Sequence, residues 1–295
     1  MLYYLLYPLH VHISAFNVFR YITFRTVLSI LTALVISFYL TPRAIRLFQQ
    51  LKIKADKRED VPDRHETKKG TPTMGGAVIL VATIIPTLLW ADLMNNYIWI
   101  VALSLVSFGM IGFFDDFRKL KGQNGRGVPG KTKLLLEILF ALVISALIYS
   151  QSGFRPELTI PFFKNLAPDL GFFYVALCVL IIAGSSNGVN LTDGLDGLAA
   201  GLSLFVFVAL MIMAYLIGNA ITSQYLFIMH VSQASELAVV CAAFAGALLG
   251  FLWFNAYPAS VFMGDVGALM LGGVIGTVAV LIRQEILLLI VGIMF

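Results

Sequence analysis

Apolar stretches, each close to the length of a membrane crossing, alternate with short polar connections along almost the whole chain. A bilayer core of ~30 Å takes about 20 apolar residues in helical form. Runs of that kind occupy residues 21–40, 75–93, 97–114, 133–150, 172–186, 198–217, 237–254 and 266–282. The pattern predicts an all-α, polytopic membrane helical bundle of eight complete spans, forming one membrane domain over residues 1–295. A further apolar run, 286–295, holds ten residues. That is too few to cross, so it reads as the start of a ninth span.

Lysine and arginine mark the cytoplasmic side of short connections. Nine of them fall within residues 43–69 and six within 115–133, together fifteen of the twenty in the chain. The connections at 92–96 and 218–236 carry none. The odd-numbered connections are therefore expected in the cytoplasm and the N-terminus in the periplasm. By the same parity, five carboxylates land on the cytoplasmic face: Asp115 and Asp116 after the third span, Asp193 and Asp196 after the fifth, and Asp265 after the seventh. A charge next to hydrocarbon is costly and usually marks a functional place.

Composition narrows the alternatives. With 59% hydrophobic residues and eight spans in 295 residues, no room is left for a soluble domain. The net charge of +4 reflects the inside bias and forms no basic stripe, so no nucleic-acid partner is expected. Cys178 and Cys241 lie in apolar runs and read as small core residues. The four histidines are scattered and carry no ligand pattern. The first 17 residues are amphipathic and lack a cleavable signal pattern.

Three segments carry the chemistry. Phe113-Phe-Asp-Asp-Phe117 closes the third span and puts two acids where the helix dipole disfavours them, which calls for a cation. Asn187-Gly-Val-Asn-Leu-Thr-Asp-Gly-Leu-Asp-Gly197 breaks two apolar runs with polar residues and glycines, far beyond what a turn needs. Asn190, Asp193 and Asp196 are spaced by three and would share a face if the segment were helical. Its glycines suit close approach of backbone amides to phosphate. The third segment, Asn255 to Asp265, places Asp265 after Gly264 at the start of the eighth span, where a plain N-cap is the simpler explanation for that residue alone.

Near these segments lie 69–76, with Thr73, and 125–133, whose Lys131 and Lys133 sit beside glycines at a helix start. Clustered carboxylates without His or Cys suit a hard cation, and Mg²⁺ usually takes one or two carboxylates plus substrate phosphates. The chemistry expected is Mg²⁺-assisted phosphoryl transfer between a soluble phosphate donor and a lipid acceptor.

These motifs together resemble the polyprenyl-phosphate N-acetylhexosamine-1-phosphate transferases. Thr71-Pro-Thr-Met-Gly-Gly76, Phe114-Asp-Asp-Phe117, Gly125 to Lys133, Asn190 to Gly197 and Phe262-Met-Gly-Asp265 carry the likeness over essentially the whole chain. The string Asn190-Leu-Thr-Asp-Gly-Leu-Asp-Gly197 is more similar to members that use a muramoyl donor than to those that use a GlcNAc one. The resemblance implies transfer from UDP-MurNAc-pentapeptide to undecaprenyl phosphate, giving lipid I and UMP with Mg²⁺, in the inner membrane of a bacterium. It implies that Asp115, Asp116 and Asp193 are catalytic or close to the metal, and that Asp265 is the direct Mg²⁺ ligand. Asn190, Gly194, Leu195, Asp196, Asn255 and Phe262 would line a uridine pocket, with Lys131 and Lys133 near phosphate. Asn187, Gly264 and Thr73 join the substrate-lining set. The family pattern continues with a cytoplasmic loop bearing a His-rich motif and a last span, neither of which lies within residues 1–295. It also admits a homodimer. A GlcNAc-1-phosphate transferase remains the alternative of the same class. A cation-coupled secondary transporter is the alternative of a different class, disfavoured by the absence of a visible internal repeat and by acids at one face instead of mid-span.

Overall fold

The computed structural model describes residues 2–51, 71–121, 127–160, 167–292 and 295. Lys52, Lys54, Lys57, Arg58, Arg64, His65, Lys68, Lys69, Gly125 and Arg126, which entered the orientation and motif arguments above, lie outside the described residues.

Eight helices follow the eight apolar runs: α1 (Ile22–Gln50), α2 (Gly76–Trp90), α3 (Asn96–Lys121), α4 (Gly130–Tyr149), α5 (Phe173–Thr192), α6 (Leu198–Gly218), α7 (Leu237–Asn255) and α8 (Gly264–Leu281). A shorter α9 (Glu285–Gly292) follows α8. Among the described residues there is no strand, only an isolated bridge between Glu157 and Asp169. Among the described residues seven helices are long and apolar enough to cross a membrane; α2, with 15 residues, falls short of that length. At 1.5 Å per residue it rises only about 22 Å. Its two ends nonetheless meet opposite ends of the bundle. Gly75 and Gly76 donate to the carbonyls of Phe262 and Met263 just before α8, and the Trp90 carbonyl accepts from Arg25 near the start of α1.

Helices α7 and α8 form the middle of the bundle, with most of their residues buried inside the protein. In lipid there is little hydrophobic drive between helices, so packing relies on small residues and interhelical hydrogen bonds. The buried face of α1 is Ser29, Ala33, Ser37 and Thr41. Ser29 and Ser37 donate to the Val239 and Ala247 carbonyls of α7, each at 2.8 Å. A Cβ on Gly246 would stand 2.2 Å from the Ile30 carbonyl oxygen, so only glycine permits this approach.

At the end of the bundle remote from the acids, Arg25 pairs with Glu236 through its two terminal guanidinium nitrogens, at 2.6 and 2.8 Å. Glu236 also accepts from the Asp92 amide at 3.0 Å. One buried pair thus ties the start of α1, the α2–α3 connection and the entry to α7.

Three boundaries differ from the sequence reading. Helix α3 continues past the acids to Lys121, so Asp115 and Asp116 lie inside the helix and the dipole objection falls away. Helix α5 ends at Thr192, which leaves Asp193 as its C-cap and Asp196 in the following turn, so the proposed shared face of Asn190, Asp193 and Asp196 does not form. Asp265 lies in the first turn of α8, after a cap at Met263, and is not the cap itself.

Candidate active site

Three carboxylates meet at one end of the bundle. Asp115, Asp116 and Asp265 each offer an oxygen within 4.8 Å of the other two. The first two come from α3, where adjacent residues diverge by about 100° around the axis. Helix α8 crosses close enough for both to face its first turn. Asp116 Oδ2 accepts from the Val266 amide at 3.2 Å. Gly264, with φ +74°, has no room for a side chain, since a Cβ there would lie 2.6 Å from Asp116 Oδ2 and 2.9 Å from Thr73 Oγ1. Thr73 therefore borders the acids through backbone that only glycine can adopt without strain.

Two lysines balance the acids in part. Lys119, one turn after Asp115, puts Nζ 2.7 Å from Asp115 Oδ2, 3.0 Å from Asp265 Oδ2 and 3.7 Å from Asp116 Oδ1. Lys133, near the start of α4, lies 2.7 Å from Asp265 Oδ2 and 3.8 Å from Asp115 Oδ2. Asp115 and Asp116 side chains are 4% exposed, so each charge relies on these partners more than on water. Asp115 Oδ1 takes the Val128 amide at 2.6 Å, which fastens the loop before α4 to the site. With its amide oriented by this surrounding, Asn190 donates to Asp265 Oδ1 and accepts from Lys133 Nζ, both at 3.3 Å.

The other candidates sit around this centre in different ways. Lys131 is exposed on the first turn of α4, so Lys133 is the lysine of that pair that reaches the acids. Asp193 and Asp196 are half-buried and outside the carboxylate trio, and Asp196 Oδ2 accepts from the Ala259 amide at 3.2 Å. That bond joins the α5–α6 turn to the segment before α8, and Gly194 and Leu195 are exposed on the same turn. Asn255 is buried and donates to the Val261 carbonyl at 2.9 Å, so its amide group holds the 255–261 turn together. Phe262 is fixed through its backbone, with its amide on the Pro72 carbonyl at 2.8 Å and its carbonyl on the Gly75 amide at 2.9 Å. Asn187, half-buried one turn deeper than Asn190, faces Glu137 of α4.

Sequence reasoning missed Lys119 and Glu137. The signal for the first was its spacing of four from Asp115 along a helix; it was hidden by reading the acids as the end of the span. The second was visible as a lone carboxylate in an apolar run.

The donor set fits a hard divalent cation: three carboxylates within reach of one another, oxygen only, two of them buried. Lysines beside them suit an anionic phosphate. Residues 98–283 match the family described as glycosyl transferase family 4. The chain belongs to glycosyl transferase family 4. It is 51% identical over 292 residues to a phospho-N-acetylmuramoyl-pentapeptide-transferase of Syntrophus aciditrophicus, covering 99% of this chain and 81% of that relative. It is 52% identical over 295 residues to the protein of the same description in Desulfosudis oleivorans, covering 100% of this chain and 82% of the relative. In this family 4 chain the matched region runs from α3 to just beyond α8, and so contains the carboxylate trio and both lysines.

Proposed function

We propose that this protein transfers phospho-MurNAc-pentapeptide from UDP-MurNAc-pentapeptide to undecaprenyl phosphate, giving lipid I and UMP. The observation that carries the reading is the meeting of Asp115, Asp116 and Asp265 with Lys119 and Lys133 at one end of a membrane bundle. The extensive identity with phospho-N-acetylmuramoyl-pentapeptide-transferases supports the muramoyl donor over a GlcNAc one. The inside bias of basic residues supports placing this end in the cytoplasm of a bacterial inner-membrane protein, where a soluble nucleotide reaches a lipid acceptor. A transporter needs its acids mid-span and open to both sides in turn; these lie at the end of the bundle.

In the reaction, an oxygen of the lipid phosphate forms a bond to the β-phosphorus of the nucleotide sugar. The bond from that phosphorus to the oxygen bridging the two phosphates breaks, and UMP leaves with the electron pair. Asp265, Asp116 and Asp115 are the residues that would hold Mg²⁺, which when bound neutralises charge on the phosphates. Lys119 and Lys133 supply fixed positive charge next to the same place, and such charge stabilises a transition state without reorganising. Asp115 has one oxygen on the Val128 amide and the other on Lys119, an arrangement suited to holding the loop and the lysine. The acceptor phosphate, with a second pKa near ~6, is mostly dianionic at neutral pH and needs little help from a base. The uridine is expected along the α5–α6 turn, where Gly194, Leu195 and Asp196 face solvent or the 255–262 segment.

The test is UMP release by purified protein with both substrates, with and without Mg²⁺, using Asp265→Ala as control. Release that depends on Mg²⁺ and is lost in D265A supports the reading. Equal turnover with UDP-GlcNAc would shift it to the GlcNAc-1-phosphate class.

A further inference from the structure

Beneath the carboxylate trio lies a second polar layer. On α4, Glu137 follows Lys133 by four residues; on α5, Asn187 precedes Asn190 by three. Each spacing keeps the two side chains on one face, about one helical turn apart. Lys133 and Asn190 contact Asp265 directly, so Glu137 and Asn187 form the next layer, ~5 Å further into the bundle.

Glu137 is fully buried, an expensive state for a carboxylate inside a membrane helix. Its Oε2 takes a hydrogen bond from Asn187 Nδ2. The same Nδ2 donates to the Ala183 carbonyl at 2.9 Å. Both hydrogens of the Asn187 amide are thus directed at acceptors within the protein. An amide has two donor hydrogens and one acceptor oxygen, so the remaining hydrogen-bonding capacity of Asn187 is its carbonyl. Glu137 Oε1 is also buried and has no hydrogen-bond partner among the described residues. Buried polar atoms without partners are rare and call for an explanation. Both facts point the same way: this wall is short of donors.

We propose that Glu137 is a positioning residue that holds Asn187 with its carbonyl free, so that this side of the site takes a hydroxyl or amide N–H of a substrate and rejects a fully ionised phosphate oxygen. The inference rests on the transferase reading above and deepens it by naming the chemistry of one contact. A neutral donor group occurs on two substrates: the hydroxyls and acetamido group of the nucleotide sugar, and the singly protonated form of the lipid phosphate.

The experiment measures UMP release by the full chain at varied concentrations of each substrate, with competitive inhibition by UDP as a third reading. In Glu137→Ala, KM for one substrate rises at least fivefold while the inhibition constant of UDP stays within twofold. A rise confined to the nucleotide sugar assigns the contact to the sugar; one confined to the lipid phosphate assigns it to the acceptor. Asn187→Asp alone sets two carboxylates against each other and raises the same KM. The pair Glu137→Gln with Asn187→Asp restores it to within about threefold of wild type, because the glutamine amide now donates to the aspartate and leaves an acceptor facing the site. A merely structural pair would not produce this: unchanged KM values with a uniform fall in kcat, or UDP weakened as much as the substrates, overturns the proposal. Failure of the double variant to recover above Asn187→Asp overturns it too. Wild-type protein that is not inhibited by UDP and releases no UMP refutes the transferase reading itself, a result distinct from all of these.

Discussion

Gly112 of α3 packs its bare Cα against the backbone of Asp265, so that a Cβ would stand 2.2 Å from the Asp265 carbonyl oxygen and 2.4 Å from its carbonyl carbon. The contact brings an acid from the eighth helix to within reach of two acids on the third, across about 150 residues of chain. The atoms in the way are backbone, which cannot rotate aside as a side chain can. Gly112→Ala is therefore expected to push α8 off α3 and open the carboxylate trio. Overpacking of this kind costs about 1–3 kcal/mol. UMP release should fall at least ~10-fold, since even ~1 Å of misplacement is amplified in a positioned site. Turnover close to wild type in this variant would mean that the α3–α8 approach does not set the site.

Lys119 takes part in three carboxylate contacts, and its removal leaves Lys133 as the lysine that faces the three acids among the described residues. Lys119→Met should lower thermal stability in EDTA by about 1 kcal/mol, a modest figure because the lysine side chain is 39% exposed. The freed carboxylates should then gain more from a divalent ion, so added Mg²⁺ should raise the unfolding temperature of the variant by more than it raises that of wild type. The measurement is a thermal melt of detergent-purified protein against Mg²⁺ concentration. Equal shifts in the two proteins would show that lysine and metal do not share the acids.

At the far end of the bundle, the Arg25–Glu236 pair is buried and bidentate, and no helix boundary near the acids depends on it. Removing one partner of a buried pair strands the other charge and costs about 3–5 kcal/mol. Arg25→Met should markedly lower the unfolding temperature while kcat, per folded molecule, stays within about twofold of wild type, as expected for distant independent sites. A selective loss of kcat with unchanged stability would contradict this division of roles.

Much of this architecture is legible in the chain because bilayer thickness imposes a length on each apolar run, and the eight runs reappear as eight helices. Helix ends were harder to read. Asp115 and Asp116 look like a span's end because two charges follow an apolar run, yet α3 continues because Lys119 answers them one turn later. Asp193 and Asp196 keep a helical spacing in sequence, but Gly194 and Gly197 break the helix there, and Gly197 takes φ +75° at the start of α6. Which residues form the innermost trio is set by tertiary approach. The glycine at position 112 means nothing by spacing alone, and the bond from the Asn255 amide to the Val261 carbonyl joins residues whose pairing no motif announces. Lys131 and Lys133 look alike in the sequence, and only the rotation of α4 separates them.

Asp115 offers the sharpest test of how the acids divide their work. Both of its oxygens are engaged, one by the Val128 amide at 2.6 Å and one by Lys119 at 2.7 Å. A general base must turn a lone pair to the proton of the acceptor phosphate, and here each oxygen is already oriented by one donor. That acceptor ionises with a second pKa near ~6, so a base would matter below that pH and hardly at all well above it. If Asp115 positions Lys119 and the 127–129 loop instead, Asp115→Asn should lose turnover by a similar factor at every pH from about 5.5 to 8.5, a range that brackets the acceptor's ionisation. The asparagine keeps an oxygen for the Val128 amide but loses the charge that holds Lys119, so the loss should be large, on the order of 10-fold or more for a misplaced electrostatic group. A loss that shrinks towards wild-type turnover as the pH rises past about 8 would assign the proton transfer to Asp115 after all.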